Sequence, residues 1–258
     1  MSRALLTTYD LLNLPGIHAF STLRGCSDPS APYDGFNTCH YSGDDPVHVS
    51  VCRGRLSEFI GIPPEKVFIP RQTHFARVVT VDHNTDRSVL EGVDALVSST
   101  AGTALVIHTA DCVPVMLADP DAGVIAAAHA GWRGAAAGIV SRTLEEMVRQ
   151  GAALERILVA MGPCICMDCF EVGDEVAAQF PEECVTRYEG RRPHVDLGAA
   201  IFRELTAAGV AADNVAMPPE CTRCNPERFF SARRLGVESG RIANVITLKE
   251  ADGARMRR

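Results

Sequence analysis

Residues 103–134 read TALVIHTADCVPVMLADPDAGVIAAAHAGWRG. Three short apolar runs stand in this stretch, at 104–107, 113–117 and 124–128, each bounded by Gly, Pro or Asp. Runs of this length are too short for typical helices and read as strands buried on both faces. Between the second and third, Asp119-Pro120-Asp121-Ala122-Gly123 has the composition of a tight turn, so these two strands are expected to form a hairpin. Two further runs, 78–81 and 95–97, lie just upstream. Consecutive strands without an intervening helix argue for a mixed or antiparallel sheet and against βαβ alternation.

Helices are expected on either side of this block. Asp45-Pro46 should open one, because Asp can cap free amides and Pro at the first helical position loses no hydrogen bond. Val49, Cys52, Arg53, Leu56 and Ile60 then recur near helical spacing, and Gly61 before Pro63-Pro64 should end it. A second helix is expected over 134–150, with Ile139, Val140, Thr143, Leu144, Met147 and Val148 as its apolar stripe and Gly151 as terminator. Residues 157–161 read as a buried strand, and Asp196 should cap a third helix with Leu197, Ala200, Ile201, Leu205 and Ala208 inward. Residues 242–248 read as a late strand. The fold class is therefore α+β, a layered α/β sandwich with mixed, largely antiparallel sheets flanked by helices. No linker, repeat or boundary divides the chain, which reads as one domain, 1–258.

The chain has 258 residues, 25 Lys plus Arg against 32 Asp plus Glu, and a net charge of −7. An acidic chain without a basic run is a poor partner for nucleic acid or for an anionic membrane surface. The most apolar stretch, 101–132, is interrupted by Asp111, Asp119, Pro120 and Asp121 and should not span a bilayer. The first sixteen residues lack a continuous apolar segment and a cleavage site, so the ten cysteines are read as reduced, in a cytoplasmic protein.

Chemistry concentrates in three segments: Arg71-Gln72-Thr73-His74, Thr109-Ala110-Asp111-Cys112, and 128–134, which carries His129 and Gly131-Trp132-Arg133-Gly134. Each places one good metal ligand at the edge of an apolar run. Two imidazoles and a thiolate suit Zn²⁺, and three protein ligands leave a fourth position open, as in catalytic zinc sites. The residues alone also allow plainer accounts. A histidine at a strand end can be a satisfied structural residue, free Cys is often buried, and convergence is not visible in sequence. Arg133 offers a planar fork for phosphate, or for a surface carboxylate. Asp111 can orient a ligand or cap a turn. Trp132 reads as packing, and His108 as a hydrogen-bonded core residue.

These residues resemble a known family. The stretch TADCVPVMLADPDAGVIAAAHAGWRGAAAGIV (109–140) is similar to the signature core of the laccase-domain family, whose members have been labelled multicopper polyphenol oxidases and later purine nucleoside phosphorylases. Gln72-Thr73-His74, GPCICMDCFEVGDEV (162–176), CTRCNPERFFSARR (221–234) and FNTCHYSGDDP (36–46) resemble its other segments, so the likeness runs from about Phe20 to Leu248. The resemblance implies metal ligands at His74, Cys112 and His129, an α/β sandwich, and a zinc cofactor, with copper capturable in vitro. It further implies phosphorolysis of purine nucleosides, including methylthioadenosine, adenosine deamination, and purine nucleoside and phosphate as partners. By the resemblance Asn37 and Phe230 join Arg133 as substrate-binding candidates. Relatives have also been linked to editing of peptidoglycan precursors. The chain departs from the family's FSTR-x-GG opening, with Leu23 at the Arg position and Arg24 beside it.

Rival readings use the same residues. A four-copper oxidase needs many histidines, often as His-x-His pairs; this chain has eight, and no two are separated by one residue. A cysteine hydrolase would use Cys112 as nucleophile with His129 or His74 as base. A pure binding module would turn over no nucleoside. Cys166-x-x-Cys169 and Cys221-x-x-Cys224 have metal-ligand spacing, but the gap between the pairs is long for a zinc ribbon. They are expected to be reduced cysteines in or near the core.

Overall fold

The computed structural model describes residues 6–250; residues 1–5 and 251–258 of the expected single unit lie outside them. Two strands come first, β1 (Leu6–Thr8) and β2 (Ile17–Thr22), followed by helix α1 (Pro46–Ile60). The Asp45 carboxylate accepts from the Val47 amide at 2.8 Å, and Gly61 closes α1 at φ 67°, the cap and stop expected from those residues. Then come β3 (Val67–Phe68), β4 (Val78–Thr80), β5 (Ala95–Ser98), β6 (Thr103–Thr109), β7 (Val113–Asp119) and β8 (Val124–Ala130).

The expected helix over 134–150 is two helices, α2 (Trp132–Ala136) and α3 (Ile139–Arg149). Gly138, at φ 75°, breaks them, because a left-handed residue cannot continue a right-handed helix. Next are β9 (Leu158–Met161), α4 (Asp174–Ala177), β10 (Val185–Thr186), β11 (His194–Val195) and α5 (Leu197–Ala207). Asp196 caps α5 by accepting from the Ala199 amide at 2.9 Å. The described chain ends with β12 (Val215–Ala216), α6 (Ala232–Leu235) and β13 (Ile242–Leu248).

Two large sheets form, ordered β1-β2-β13-β6-β3 and β12-β9-β7-β8-β5-β4, with β10-β11 as a small separate pair. Most pairings are antiparallel; β3/β6, β4/β5 and β9/β12 are parallel. The large sheets pack face to face. Ile17, Ala19, Leu105, Ile107 and Ile246 from one meet Leu96, Met116, Ala118, Ile125 and Ala127 from the other. The outer face of the six-stranded sheet is covered by α3 and α5, through Ile139, Leu144, Met147, Ile201 and Leu205. Cys52, Leu56 and Ile60 of α1 cover the outer face of the five-stranded sheet. The order is thus helix, sheet, sheet, helices, an α+β sandwich with mixed sheets. The central strands are buried on both faces, which is why β6, β7 and β8 read as unbroken apolar runs without polar alternation.

The turn between β7 and β8 is held by Asp119. Its carboxylate accepts from the amides of Asp121 and Ala122 at 3.0 and 3.1 Å, and from Ala153 N at 2.8 Å and Arg156 Nη2 at 2.8 Å. Among the described residues no helix is long and apolar enough to cross a membrane.

Candidate metal centre

The β7–β8 register places two of the three candidate ligands. Pro114 pairs with His129 and Val113 with Ala130, so Cys112, one residue earlier, stands opposite Gly131. A Cβ on Gly131 would lie 2.9 Å from Cys112 Sγ and 3.4 Å from His74 Cδ2. Glycine at 131 is therefore what lets the thiol and the imidazole approach the β8–α2 junction.

His74 arrives from a loop tied down at two points. Gln72 behaves as a strand residue in side-chain form: its Oε1 accepts from His108 N at 2.7 Å and its Nε2 donates to His108 O at 2.8 Å. This fastens the loop to β6. The second anchor is Asp94, just before β5. One of its oxygens accepts from His74 N at 2.9 Å; the other accepts from Phe75 N at 2.9 Å and from the Thr73 amide and hydroxyl at 3.3 and 3.4 Å. His74 itself sits at φ 62°, a strained value for a side-chain-bearing residue.

Asp94 also faces His129 Nδ1 at 2.9 Å. A carboxylate only accepts, so Nδ1 carries the proton and Nε2 is left for a metal, the usual support of a ligating imidazole. Burial alone would raise the Asp94 pKa, but His129 and the loop amides hold it below the usual range. Asp94 was missed in the sequence, where an acid at the edge of an apolar run reads as turn punctuation. Its position immediately before a buried strand was the available signal.

The ligand atoms of His74, Cys112 and His129 all lie within 4.8 Å of one another, and the two imidazole rings are 4.7 Å apart at 81°. His129 is buried, Cys112 half-buried and His74 exposed, so the cluster is open to solvent on the His74 side. Burial would raise the Cys112 thiol, yet the charge and hydrogen bonds of His129 and those of His74 pull it down to about 6. For His129, burial opposes the proton, but the Cys112 thiolate and Asp94 raise it to about 9. Without an ion the pair is thus thiolate and imidazolium at neutral pH. Two imidazoles, a thiolate and an open side fit one borderline divalent ion.

Asp111, beside Cys112, is a turn anchor. At φ 89° it carries the chain from β6 in one sheet to β7 in the other. Both carboxylate oxygens are engaged, accepting from Thr222 Oγ1 and Arg233 N, each at 2.6 Å. His108 is buried, with Nε2 2.8 Å from Thr38 Oγ1, and stays outside the ligand cluster.

The substrate-binding candidates are placed differently. Arg133 is exposed on α2, two residues past Gly131, with its guanidinium 4.2 Å above the Trp132 ring. Asn37 is wholly buried and its amide is spent on Asp44, Ser42, Cys39 N and Arg241 N. Phe230 is wholly buried beneath Arg24, with Phe229, Ala110 and Ile242 around it. As folded, neither Asn37 nor Phe230 presents a surface that a solute can touch. Arg24 donates to the carbonyls of Asp34, Pro29 and Pro226 at 2.9, 2.9 and 3.1 Å, so it orders the loop that follows β2.

The four cysteines of the two Cys-x-x-Cys pairs also converge, with sulfurs all within 4.8 Å of one another. Three are half-buried and Cys224 is exposed. All four are unbridged, and Cys169 and Cys221 pack against the core, in keeping with reduced cysteines in or near it; the convergence of their sulfurs was not expected. Their pairing depends on a parallel bridge between Cys164 and Cys221, a tertiary contact that spacing does not encode.

Residues 17–249 match the family described as multi-copper polyphenol oxidoreductase laccase. The chain is 44% identical over 251 residues to an adenosine deaminase RL5 from an unknown prokaryotic organism, covering 92% of this chain and 96% of that one. It is 43% identical over 246 residues to a purine nucleoside phosphorylase of Deinococcus radiodurans, covering 93% and 92%. Among solved structures it is similar to YlmD from Geobacillus stearothermophilus, with TM-score 0.85, 31% identity and 94% of each chain covered. A hypothetical protein YfiH of Bacillus licheniformis has the same TM-score at 25% identity, over 93% of this chain and all of that one.

Proposed function

The chain belongs to the multi-copper polyphenol oxidoreductase laccase family, and from that premise we propose that it is a zinc-dependent purine nucleoside phosphorylase that also deaminates adenosine and accepts methylthioadenosine. The observation that carries the proposal is the convergence of His74, Cys112 and His129 on one point with an open side. Relatives named for phosphorolysis and for deamination support the two activities. Zinc is favoured over a four-copper centre by the fate of the other histidines. His18, His48, His83, His108 and His194 face Asn13, Asp44, Thr103, Thr38 and a backbone carbonyl, and His40 faces Arg53. Among the described residues only His74 and His129 share a ligand cluster, so the other six are not gathered as a trinuclear centre requires.

His74, Cys112 and His129 would hold the ion, with Asp94 fixing the His129 tautomer and the His74 backbone. When bound, zinc supplies a Lewis acid on the open side. Phosphorolysis breaks the bond from ribose C1′ to the purine nitrogen and forms a bond from C1′ to a phosphate oxygen. Deamination replaces the purine amino group by an oxygen from water and releases ammonia. Arg133, exposed near the junction that touches the ligands, is the phosphate anchor in this reading. The ten cysteines are all unbridged, which supports a reducing, cytoplasmic setting. The test is to assay adenosine with and without phosphate, following adenine and ribose 1-phosphate for phosphorolysis and inosine, with hypoxanthine from its further cleavage, for deamination. Cys112→Ala should abolish all four products; undiminished activity in that variant would end the assignment.

A second reading has its own observation. Cys112 lowered to about 6 and His129 raised to about 9 form the ion pair of a cysteine nucleophile and its base. A cysteine hydrolase of this kind, acting on peptidoglycan precursors, would keep its activity after metal removal and lose it to iodoacetamide. The phosphorylase reading requires the reverse order of sensitivity, with the bound ion shielding Cys112.

A further inference from the structure

Beyond the His/Cys cluster, the geometry points to a second metal site: a tetrathiolate centre of Cys166, Cys169, Cys221 and Cys224 that takes one Zn²⁺ and clamps the loops supporting Cys112. In a tetrahedral zinc tetrathiolate, Zn–S bonds near 2.3 Å put neighbouring sulfurs about 3.8 Å apart. Here all four sulfurs are within 4.8 Å of one another, and Cys169 and Cys224 are 3.5 Å apart. That spacing is too wide for a disulfide, whose sulfurs lie about 2 Å apart. Four sulfurs so arranged surround one ion.

The surroundings suit the charge of such a centre. Zinc with four thiolates carries a net charge of −2. The Cys166 amide donates to Cys221 Sγ at 3.3 Å, and Arg223 Nη1 donates to Cys169 Sγ at 3.4 Å. Packing accounts for only part of the cluster, because Cys169 and Cys221 lie against the core while Cys224 is exposed. Cys39, Cys52, Cys164 and Cys184 are buried as structural cysteines usually are, whereas these four gather at the surface, where free thiols are open to oxidation.

The two Cys-x-x-Cys turns also meet the proposed catalytic cluster through Asp111. Ile165 N, beside Cys166, donates to the Asp111 carbonyl at 2.9 Å. Thr222, inside the second turn, donates to its carboxylate. A single ion would lock both turns together and so hold Asp111 in its strained conformation next to Cys112.

The test is a metal count on the full chain purified without chelator. Native mass spectrometry and elemental analysis should give two zinc ions per chain. Cys112→Ala should retain one, and its cobalt-loaded form should show the intense visible bands of tetrahedral tetrathiolate cobalt. The double variant Cys169→Ser, Cys224→Ser should lose one equivalent and melt at a lower temperature. If that variant fails to fold, the Cys112→Ala protein alone decides. A single zinc that vanishes in Cys112→Ala, iron in place of the second zinc, or a mass deficit showing a Cys169–Cys224 disulfide would each overturn the inference. Because the readout is metal content, it stands or falls apart from phosphorolysis.

Discussion

Asp94→Asn changes one atom of the carboxylate that supports both candidate histidine ligands. In the wild type one oxygen serves His129 Nδ1 and His74 N, and the other serves Phe75 N and Thr73. An asparagine keeps a single acceptor, and its NH₂ must face donors on the other side. If the NH₂ points at Phe75 and Thr73, the loop that holds His74 at φ 62° loses its anchor. If it points the other way, His129 loses the group that fixes its tautomer. Loss of such support weakens metal binding about 10–100-fold, or roughly 1.4–2.7 kcal/mol. An orphaned buried donor costs about 1–3 kcal/mol in the metal-free protein. At about 2–4 °C per kcal/mol for a domain of this size, melting should fall by about 2–12 °C. Competition titration with a chromophoric chelator measures the zinc affinity, and calorimetry of stripped protein measures the melting point. An Asp94→Asn protein that binds zinc within twofold of wild type and melts unchanged would refute this account of the site.

Other outcomes are expected from the same geometry. In stripped protein, alkylation of Cys112 by iodoacetamide should show an inflection near the pH of about 6 to which its neighbours lower it; His129→Ala should move that inflection upward, and an unmoved profile would disprove the ion pair. Gly131→Ala places a methyl carbon 2.9 Å from Cys112 Sγ, so it should weaken metal binding and cost about 1–3 kcal/mol of stability, as overpacking does; urea titration and metal affinity together check it. Asp119→Ala leaves the amides of Asp121, Ala122 and Ala153 without their acceptor and should destabilise by about 1–3 kcal/mol. Burial raises the Asp119 pKa, but Arg156 and the turn amides lower it further, with a net downward shift. Its contribution is therefore present above the ordinary carboxylate value of 3.8 and lost as pH falls through the lower folded value. Wild type should accordingly lose urea resistance below about pH 4 more steeply than Asp119→Asn.

Local signals in the sequence were legible because their causes are local. Asp45-Pro46, Gly61 and Asp196 bound helices by chemistry contained within a few residues, and the structure places caps and stops there. The runs in β6, β7 and β8 were legible as strands because burial on both faces removes polar alternation. Pairings between distant segments were not. Strand β13 lies between β2 and β6 at the centre of its sheet, a place set by face-to-face packing and not by its own residues. The break at Gly138 was hidden because the apolar stripe runs on past it. At the site, residue types and the family resemblance singled out His74, Cys112 and His129. Asp94, Gln72 and the cysteine quartet depend on contacts that only the folded chain creates.

The two clusters differ in how they are held, and this separates the effects of removing metal. Among the described residues, His74 and Asp111 are the only non-glycine positions with positive φ. Such residues each cost on the order of 1–3 kcal/mol unless their surroundings impose them. At His74 the restraint is Asp94 and Gln72; at Asp111 it is Thr222, Arg233 N and Ile165 N. The His/Cys cluster is thus preformed by hydrogen bonds that exist without an ion, and metal entering it has little left to order. The cysteine turns are joined by the Cys164–Cys221 bridge and reach Asp111 through Thr222 and Ile165 N, but four thiolates this close repel one another without a cation, so the ion itself would tie the sulfurs. Stepwise chelation should therefore show two phases. Loss of the His/Cys ion should abolish activity with a small change in melting temperature, and loss of the tetrathiolate ion should bring the larger thermal shift. Zinc restored to the His/Cys cluster alone should recover activity only to the extent that Asp111 still holds Cys112 in register.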